Sequence, residues 1–431
     1  MSGEWRELPI GDVATVIGGG TPSTKDEGNF NGSIPWLTPK DLSGYPYRYI
    51  SRGERNISEK GLMSSSARLL PEGAVLLTTR APVGYVAIAS NSVTTNQGFR
   101  SLVLQEGFHP EFVYYLLKSK TDLLKAHASG TTFGELSGTT LKELRFMFPP
   151  LPEQHAIATI LGALDDKIEL NRRMNQTLEV IAQTLFKSWF SDFEPFRDQG
   201  MEESPMGPIP RGWEIKVLDD LTNFVLGGDW GKDDLQEDAT EPAYCIRGAD
   251  IPDLQHAGVG KMPIRYLKPS SLGKRSLCVG DIVIEISGGS PTQSTGRTIL
   301  VTSQLLDRLD HSLVCSNFCR LIRLRPDISP NFVYYWLRRL YETDVLLKYE
   351  TGTTSIKNFA YTIFSNTHHL VLPPAEVLNA FGKQVQPLLT KHTYNGVESE
   401  SLANIRDSLL PKLLSGEIRI KDAEKFVEVK I

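Results

Sequence analysis

The residues that could perform chemistry in this chain do not combine into a recognised catalytic site. Residues 227–232 contain glycines and a lysine, but they lack the spacing and the hydroxyl residue of a nucleotide phosphate loop. Residues 148–151 contain paired prolines without the amide side chain with which an amino-methyltransferase motif would hold a base amino group. Residues 214–216 match half of a nuclease motif, and no suitably spaced Pro-Asp pair precedes them. Catalysis by this chain alone is therefore not predicted.

Cysteine and histidine spacing is the next candidate for chemistry. All four cysteines lie in the second half of the chain, and His311 precedes Cys315 and Cys319 at a spacing suggestive of zinc. A closed zinc site needs four ligands with tight pair spacing, and the first half has no counterpart of these residues. The sequence therefore predicts reduced thiols. It predicts no metal site and no disulfide framework.

Length and composition restrict the class of protein. The chain has 431 residues, of which 40% are hydrophobic, so it is expected to fold into more than one domain. Its longest apolar runs are far shorter than the roughly 20 residues that a membrane span needs. A polar segment follows Met1 in place of a signal peptide, and the expected location is the cytoplasm.

The charge distribution keeps nucleic-acid binding open despite a net charge of −5. Residues 151–208 carry 5 basic and 10 acidic groups, so this segment accounts for the whole imbalance and the rest of the chain is neutral. Residues 247–297 carry seven Lys or Arg against four acids. A basic face would therefore have to be local, and charge alone equally allows an ordinary mixed surface.

The chain contains an internal repeat of two copies of one sequence unit. Trp5 recurs as Trp213, and the hexapeptide PEFVYY at residues 110–115 recurs as PNFVYY at residues 330–335. The offset drifts from 208 to 224 within the first 148 residues and then stays at 224. Two copies of this size are too large and too few for a solenoid, which favours a two-part molecule with internal pseudo-symmetry.

The segment with constant offset has the 4-3 apolar spacing of a coiled-coil seam. Pro-Pro pairs precede both copies, and about 33 helical residues would span roughly 50 Å, or one and a half turns of DNA. Asn171 and Asn395 are equivalent, and polar seam residues fix register and partner at some loss of stability. The residues expected to pair the two helices are Ile157, Leu161, Leu164, Ile168, Asn171, Leu178, Leu185, Phe381, Val385, Leu388, Asn395, Leu402 and Leu409. Pro387 and Gly396 predict a kink or break in the second helix, and two unpaired helices on separate globules remain the alternative.

The remaining segments indicate mixed α/β globules. Short β-rich runs at residues 74–79, 85–89, 282–286 and 318–324 alternate with turns, and helical patterns cover residues 110–125 and 330–348. The glycine turns at residues 18–20 and 227–228 are interpreted as helix C-terminal turns. The predicted class is α+β, with two pseudo-repeated mixed α/β domains separated by two long helices. The predicted segments are 1–150, 151–208, 209–373 and 374–431.

Several phrases together resemble the DNA-specificity subunit of type I restriction-modification systems. They are Trp5 with Leu8, Asp12 and Val13, then FPPLPEQ at residues 148–154, LFKSWF at 185–190 and LLPKLLSGEI at 409–418. The entry to the second helix, residues 373–375, departs from the Leu-Pro-Glu-Gln pattern. The resemblance implies two target-recognition domains, each reading half of a split site in double-stranded DNA, held apart by antiparallel coiled-coil helices. It also implies two methyltransferase subunits and restriction subunits as partners, which would carry S-adenosylmethionine, ATP and Mg, so that the chain itself needs no cofactor.

With that resemblance, basic and polar residues in the globules become candidate DNA contacts. Groove contacts from variable loops would specify sequence, and phosphate contacts would fix register. The candidates are Thr38, Lys40, Arg80, Lys232, Arg247, Lys261, Arg265 and Arg297. Ordinary solvated surface is the alternative for each of them. For the whole chain, the alternatives are the recognition chain of a related fused restriction system and a coiled-coil scaffold without DNA affinity.

Overall fold

The computed structural model describes residues 4–128, 134–288, 293–352, 357–420 and 422–423. It contains two compact units. One comprises Met1–Glu169 with Ser401–Ile431, and the other comprises Leu170–Glu400. Each unit therefore contains one globular domain and one part of each long helix.

The first unit contains a mixed α/β domain built on a five-stranded sheet. Its strand order is Ala14–Gly18, Arg100–Leu104, Val75–Thr79, Val83–Ala89 and Tyr49–Ile50. A three-stranded sheet has the order Arg55–Ile57, Phe30–Leu37 and Thr94–Thr95, and Arg6–Pro9 pairs with Arg145–Phe148. The α-helices of the domain are Ile10–Val13, Glu59–Met63, Pro110–Ser119, Thr121–Ala126 and Gly138–Glu143, with 3-10 turns at Glu27–Asn29 and Pro39–Leu42.

The second unit contains a domain of the same kind. Its four-stranded sheet has the order Thr222–Gly227, Cys319–Leu324, Ile282–Glu285 and Thr298–Leu300. The smaller sheets are Ile264–Leu267, Glu241–Ile246 and Ser312–Cys315; Ser287–Gly288, Lys357–Phe359 and Glu350–Gly352; Glu214–Val217 with His369–Leu372; and Met201–Glu202 with Ile209–Pro210. The α-helices are Leu218–Leu221, Ile251–Gln255, Pro269–Arg275, Ser303–Leu306, Pro330–Glu342 and Tyr361–Thr367, with 3-10 turns at Glu194–Gln199, Gly248–Asp250 and Val345–Tyr349.

Sheet topology confirms the duplication. The first four strands of the five-stranded sheet follow the same order as their counterparts in the second domain. Each domain also has a three-stranded sheet with one parallel pair, and an antiparallel pair that places the start of the domain beside its end. The predicted α+β class with two pseudo-repeated domains is therefore confirmed. The division into four segments stays a prediction.

Three details of the predicted elements are wrong. The helix predicted over residues 110–125 is interrupted at Lys120, where φ is −104° and ψ is 17°. The helix predicted over residues 330–348 likewise ends at Glu342, and Asp344 has a φ of +59°. The glycines at residues 18–19 and 227–228 follow β-strands and do not end helices. A Cβ on Gly19 would lie 2.0 Å from the carbonyl oxygen of Asn96, and one on Gly228 would lie 2.1 Å from that of Ser316. These glycines are needed for close approach of two chain segments.

The two long helices are Leu151–Phe190 and Ala375–Leu414, each of 40 residues. The second helix is continuous through Pro387 and Gly396, contrary to the predicted break. A Cβ on Gly396 would lie 2.4 Å from the carbonyl oxygen of Ala257, so glycine at this position lets a loop of the second domain approach the helix closely.

In each unit the two long helices share the hydrophobic core with the globular domain. In the first unit, Ile157, Leu161 and Leu164 belong to one buried cluster with Leu402 and Leu409. In the second unit, Phe186 and Phe190 of the first long helix pack against Phe381 of the second, with ring centroids 5.9 Å and 4.9 Å apart. In both units the two long helices therefore pack against each other as well as against the globular domain of that unit.

Candidate nucleic-acid interface

Thr38 and Lys40 lie at the 3-10 turn Pro39–Leu42 of the first domain. The Thr38 backbone N–H and hydroxyl both donate to Asp41 Oδ2 at 2.7 Å, which fixes the start of the turn. Lys40 is exposed and its Nζ lies 2.8 Å from Glu54 Oε2. An exposed ion pair of this kind contributes little to stability, so the Lys40 ammonium can exchange its partner for a phosphate at little energetic cost.

Arg80 follows the strand Val75–Thr79 and is half-exposed. Its Nη1 lies 3.9 Å from Glu135, whereas the same carboxylate accepts a closer hydrogen bond from Arg100 at 3.2 Å. Glu135 is thus held mainly by Arg100. The Arg80 guanidinium is only weakly engaged and is accessible to an external anion.

Arg247 occupies the place in the second domain that Thr38 occupies in the first. Its Nε and Nη2 donate to the two carboxylate oxygens of Asp250 at 2.9 Å, and Nη2 also donates to the Lys261 carbonyl at 2.7 Å. Burial by itself would raise the pKa of Asp250. The hydrogen bonds from Arg247 outweigh this effect, so the pKa of Asp250 lies below its usual value. Arg247 therefore fixes the loop that carries Lys261, and the Lys261 side chain is exposed.

Arg265 is only 4% exposed and has a local structural role. Its Nε donates to the Trp230 carbonyl at 2.8 Å, its guanidinium lies 4.2 Å from the Trp230 ring centroid, and it pairs with Asp233. Lys232, in the turn held by these contacts, is exposed, and its backbone pairs with Tyr266. Of these two predicted contacts, Lys232 is available to a phosphate, whereas Arg265 holds the turn in place.

Arg297 is not on an exposed loop, because it is buried against Glu285. The Arg297 Nε and Nη2 atoms donate to Glu285 Oε2 and Oε1 at 2.8 Å and 2.6 Å. Burial lowers the pKa of Arg297, but the Glu285 carboxylate raises it to above its ordinary value. The Arg297 guanidinium therefore stays protonated.

The second domain brings two of the predicted residues together in one cleft of about 720 Å³. Arg247 and Arg297 line it, together with Glu285 and two exposed aromatic side chains, Trp230 and Phe318. The last three residues were not among the predicted contacts. In the sequence, Glu285 is a charged residue at the end of an apolar β-rich run, and this could have marked it as a site residue. Trp230 lies in residues 227–232, where the sequence pattern suggests only an incomplete phosphate loop.

Polar residues connect the long helices inside the second unit. Asn171 Nδ2 donates to Glu398 Oε2 at 2.8 Å, Asn175 Nδ2 donates to the His392 carbonyl at 3.0 Å, and Asn395 Nδ2 donates to Asn175 Oδ1 at 2.9 Å. Later residues of the first helix meet earlier residues of the second, so the pair is antiparallel. Buried amides in an apolar seam favour one register over others.

The predicted seam residues differ in burial. Ile157, Leu161, Leu164, Ile168, Asn171, Phe381, Val385, Asn395, Leu402 and Leu409 are buried. Leu178, Leu185 and Leu388 are partly exposed, whereas Phe186, one position beyond the predicted Leu185, is buried, as is Phe190 one turn later. The buried face therefore shifts along the first helix.

Each domain is joined to the first long helix by a tyrosine and a carboxylate. In the first unit Tyr115 donates to Asp165 Oδ2 at 2.7 Å, and Asp165 accepts from Arg406 at 2.6 Å. In the second unit Tyr335 donates to Glu179 Oε2 at 3.4 Å. Burial raises the pKa of both phenols, so they remain protonated donors. These contacts hold each set of loops in a fixed orientation on its helix pair.

The described residues contain no group of three or more His, Cys, Asp or Glu side chains that could hold a metal ion. Burial raises the pKa of Cys319 to about 12, which disfavours the thiolate that a metal would need. In the parts of the chain that the structure covers, no helix has both the length and the apolar character to cross a membrane.

Comparisons with known proteins agree with this architecture. Residues 2–180 match the family model described as the type I restriction modification DNA specificity domain. The MjaIX specificity subunit of Methanocaldococcus jannaschii is 36% identical over 97% of this chain and 94% of its own length. The HindI specificity subunit of Haemophilus influenzae is 23% identical over 96% of this chain and 100% of its own. The type I restriction-modification S subunit from M. genitalium has a similar fold, with a TM-score of 0.56 at 16% identity over 95% of this chain and 96% of its own.

Proposed function

Because the chain belongs to the family of type I restriction enzyme specificity subunits, which recognise DNA and are not catalytic, we propose that it reads a bipartite site in double-stranded DNA. One domain would read each half of the site. The observation that carries this proposal is the repeated sheet topology, which gives one chain two equivalent scaffolds with different loops. It would act in the cytoplasm, where the DNA it reads is found.

Exposed basic side chains of each domain would supply phosphate contacts and fix its register on DNA. Lys40 and Arg80 are the candidates in the first domain, and Lys232 and Lys261 are the candidates in the second. Thr38, Arg247 and Arg265 are proposed to shape the loops from which such contacts are made, since their polar groups already bond to neighbouring residues.

The paired helices are proposed to set the gap between the two halves of the site. A helix of 40 residues is about 60 Å long, which is of the order of two turns of DNA. The asparagine contacts would hold the pair in one register, so that the spacer has one length. The two helices would pair through the seam residues predicted from the sequence.

Two exposed apolar side chains on the long helices are proposed as docking points for two methyltransferase subunits. Leu170 and Tyr394 are related by the same offset of 224 residues that relates the two copies, and they are 51% and 60% exposed. Ile181, also exposed, lies eleven residues after Leu170 on the same helix face. Two equivalent apolar points on a pseudo-symmetric pair fit two copies of one partner.

The catalytic chemistry is proposed to belong to partner subunits. The methyltransferase subunits would bind S-adenosylmethionine, and restriction subunits that join the complex would use ATP and Mg. Co-purification separates this proposal from the fused-system alternative. Two separate methyltransferase chains per copy of this chain support it, whereas a single catalytic chain with both activities contradicts it.

Methylation-site sequencing tests the reading of a bipartite site. The chain is expressed with its methyltransferase subunits in a host without such modification, and modified adenines are mapped. Two fixed half-sites separated by a gap of constant length are expected. Exchange of residues 209–373 for the same domain of a relative should alter one half only, and a continuous recognition sequence would contradict the proposal. The native chain with its two domains intact is the control.

A further inference from the structure

The cleft of the second domain contains a buried ion pair that stability does not explain. Glu285 is 1% exposed and Arg297 is 8% exposed. Removing two charges from water is costly, and a buried ion pair is often no more stable than apolar residues of the same volume. In the first domain the same two positions on neighbouring strands hold Thr78 and Tyr85, whose backbone N–H donates to the Thr78 hydroxyl at 2.9 Å. The fold therefore does not require charges at this place.

The surrounding backbone is arranged to hold the carboxylate close. A Cβ on Gly248 would lie 2.2 Å from Glu285 Oε1, and one on Gly288 would lie 2.8 Å from the same atom. Glu285 in turn fixes the guanidinium through Nε and Nη2, and Nη1 takes no part in this pair. A guanidinium fixed before binding loses little conformational freedom when it binds a ligand.

The cleft is open to a ligand with a flat, polar edge. Trp230 and Phe318 are exposed large aromatic residues that line it, at 36% and 52% exposure, and Arg247 adds a second positive charge. In duplex DNA the bases stack on one another, so these aromatic side chains can offer apolar contact along the groove without selecting a guanine. Selection requires donors placed at the base edge. Arg247 and Arg297 are both held by a buried carboxylate, but Arg247 Nη2 already donates both to Asp250 and to the Lys261 carbonyl, whereas Arg297 Nη2 donates to Glu285 alone among the described residues.

We propose that this cleft takes the edge of a guanine in the half-site read by the second domain, with Arg297, held by Glu285, donating to the O6 and N7 atoms. Guanine presents two adjacent acceptors that match an arginine fork, whereas adenine presents a donor next to N7. Arg297 is then a specificity-determining residue and Glu285 its positioning residue. The inference rests on the proposed function, because it assumes that the second domain reads one half of the site.

The test uses the complex of this chain with its methyltransferase subunits, after the recognition sequence and the half read by residues 209–373 are known. Duplexes carry 7-deazaguanine, which lacks the N7 acceptor, at one guanine of that half at a time. One such substitution should weaken binding of the native complex about tenfold. It should have less than about a twofold effect on a complex with Arg297→Gln, which has already lost the contact.

Because loss of one charge from a buried pair can unfold a domain, two further variants keep the test decisive. Arg297→Lys retains the charge without the fork, and the double variant Glu285→Gln with Arg297→Gln removes both charges. The double variant should tolerate 7-deazaguanine and accept a second base at that position in methylation-site sequencing. Arg297→Lys, whose ammonium can still donate to a guanine acceptor, should keep the preference for guanine with a smaller response to 7-deazaguanine. Arg325→Gln, which breaks an exposed ion pair with Asp327 in the same domain, should leave the guanine requirement unchanged.

Two results would overturn the inference. One is a half-site for residues 209–373 that contains no guanine, and the other is an equal response of native and variant complexes to every 7-deazaguanine. Failure of the proposed function is distinguishable, since the native complex would then show no bipartite recognition sequence at all. Thermal unfolding of each variant complex, and its normal recognition of the other half-site, establish that the fold is intact.

Discussion

Single side chains determine how each domain is held on the helix pair. Tyr115 and Tyr335 occupy equivalent positions in the two copies, and each donates to a carboxylate of the first long helix. The carboxylates, Asp165 and Glu179, each also pair with an arginine. A buried phenol with a fixed acceptor cannot slide along the helix without losing its hydrogen bond. The repeated contact therefore gives both domains one defined orientation on their own helix segments.

His392 makes the stability of the second unit depend on pH. Burial, with a smaller contribution from the neighbouring His256 and Arg338, lowers its pKa to about 4. The folded chain keeps this imidazole neutral down to about pH 4, whereas the unfolded chain binds a proton below about pH 6.5. Stability is therefore lost as pH falls from 6.5 to 4, by about 2–4 kcal/mol, and is unaffected at higher pH.

Urea unfolding of the native chain and of His392→Gln at pH 7 and pH 4.5 measures this effect. The variant should lose less stability between the two pH values, because it has no imidazole to protonate. His127→Gln, which changes an exposed histidine, is the matched control and should behave as the native chain does. Equal pH dependence in the native chain and His392→Gln would contradict the prediction.

Residue identity alone could not separate structural from available cations. Lys40 and Arg265 are equally basic in the sequence, yet the first is exposed and the second is buried between Trp230 and Asp233. The difference arises from contacts between chain segments more than 30 residues apart. Spacing along the sequence carries no signal for such contacts.

At the scale of elements, periodicity predicted both long helices, but as about 33 residues, whereas each has 40. The buried positions of the first long helix follow the predicted 4-3 spacing from Ile157 to Asn171, and further along Phe186 and Phe190 are buried in place of the predicted Leu185. A helix of 3.6 residues per turn drifts against a repeat of 3.5, and the aromatic cluster around Phe381 favours the drifted face. The seam was therefore predictable from a 3.5-residue repeat until the drift of the helix moved its buried face.

Gly396 and Gly382 of the second long helix should respond in opposite directions to alanine. Alanine favours an isolated helix over glycine by about 1 kcal/mol. At Gly396 the new methyl group would lie 2.4 Å from the Ala257 carbonyl oxygen, whereas at Gly382 no atom lies within 4 Å. Gly396→Ala should lower the free energy of unfolding by roughly 1–3 kcal/mol. Gly382→Ala should raise it by up to about 1 kcal/mol.

Urea unfolding of the two variants against the native chain measures both changes. Gly382→Ala is the matched control, since it makes the same chemical change on the same helix. A stabilising Gly396→Ala would show that the close approach of the Ala257 loop is not needed for the fold.

For the whole molecule, the docking proposal predicts the composition of the complex. Leu170→Asp should remove one methyltransferase subunit and Tyr394→Asp the other, because the two residues lie at equivalent points of the repeat. A charge placed in a buried apolar contact weakens binding roughly tenfold to thirtyfold. Mass photometry at the concentration that saturates the native chain counts the subunits. Gln176→Asp, an exposed change on another face of the same helix, is the control, and full occupancy of both variants would contradict the proposal.

The spacer proposal predicts a change in the recognised gap when both helices are lengthened together. Seven residues are inserted after Asn175 and seven immediately before His392, so that the seam repeat is kept and Asn175 stays opposite His392 and Asn395. Each insertion lengthens its helix by about 10 Å, which corresponds to about three base pairs of DNA. Methylation-site sequencing should show the same two half-sites with a gap longer by about three base pairs. Insertion in the first helix alone is the control, since it puts the residues after Asn175 out of register with the second helix and should abolish modification without creating a new gap. Unchanged gap length with the paired insertion would mean that something other than the helix pair sets the distance between the half-sites.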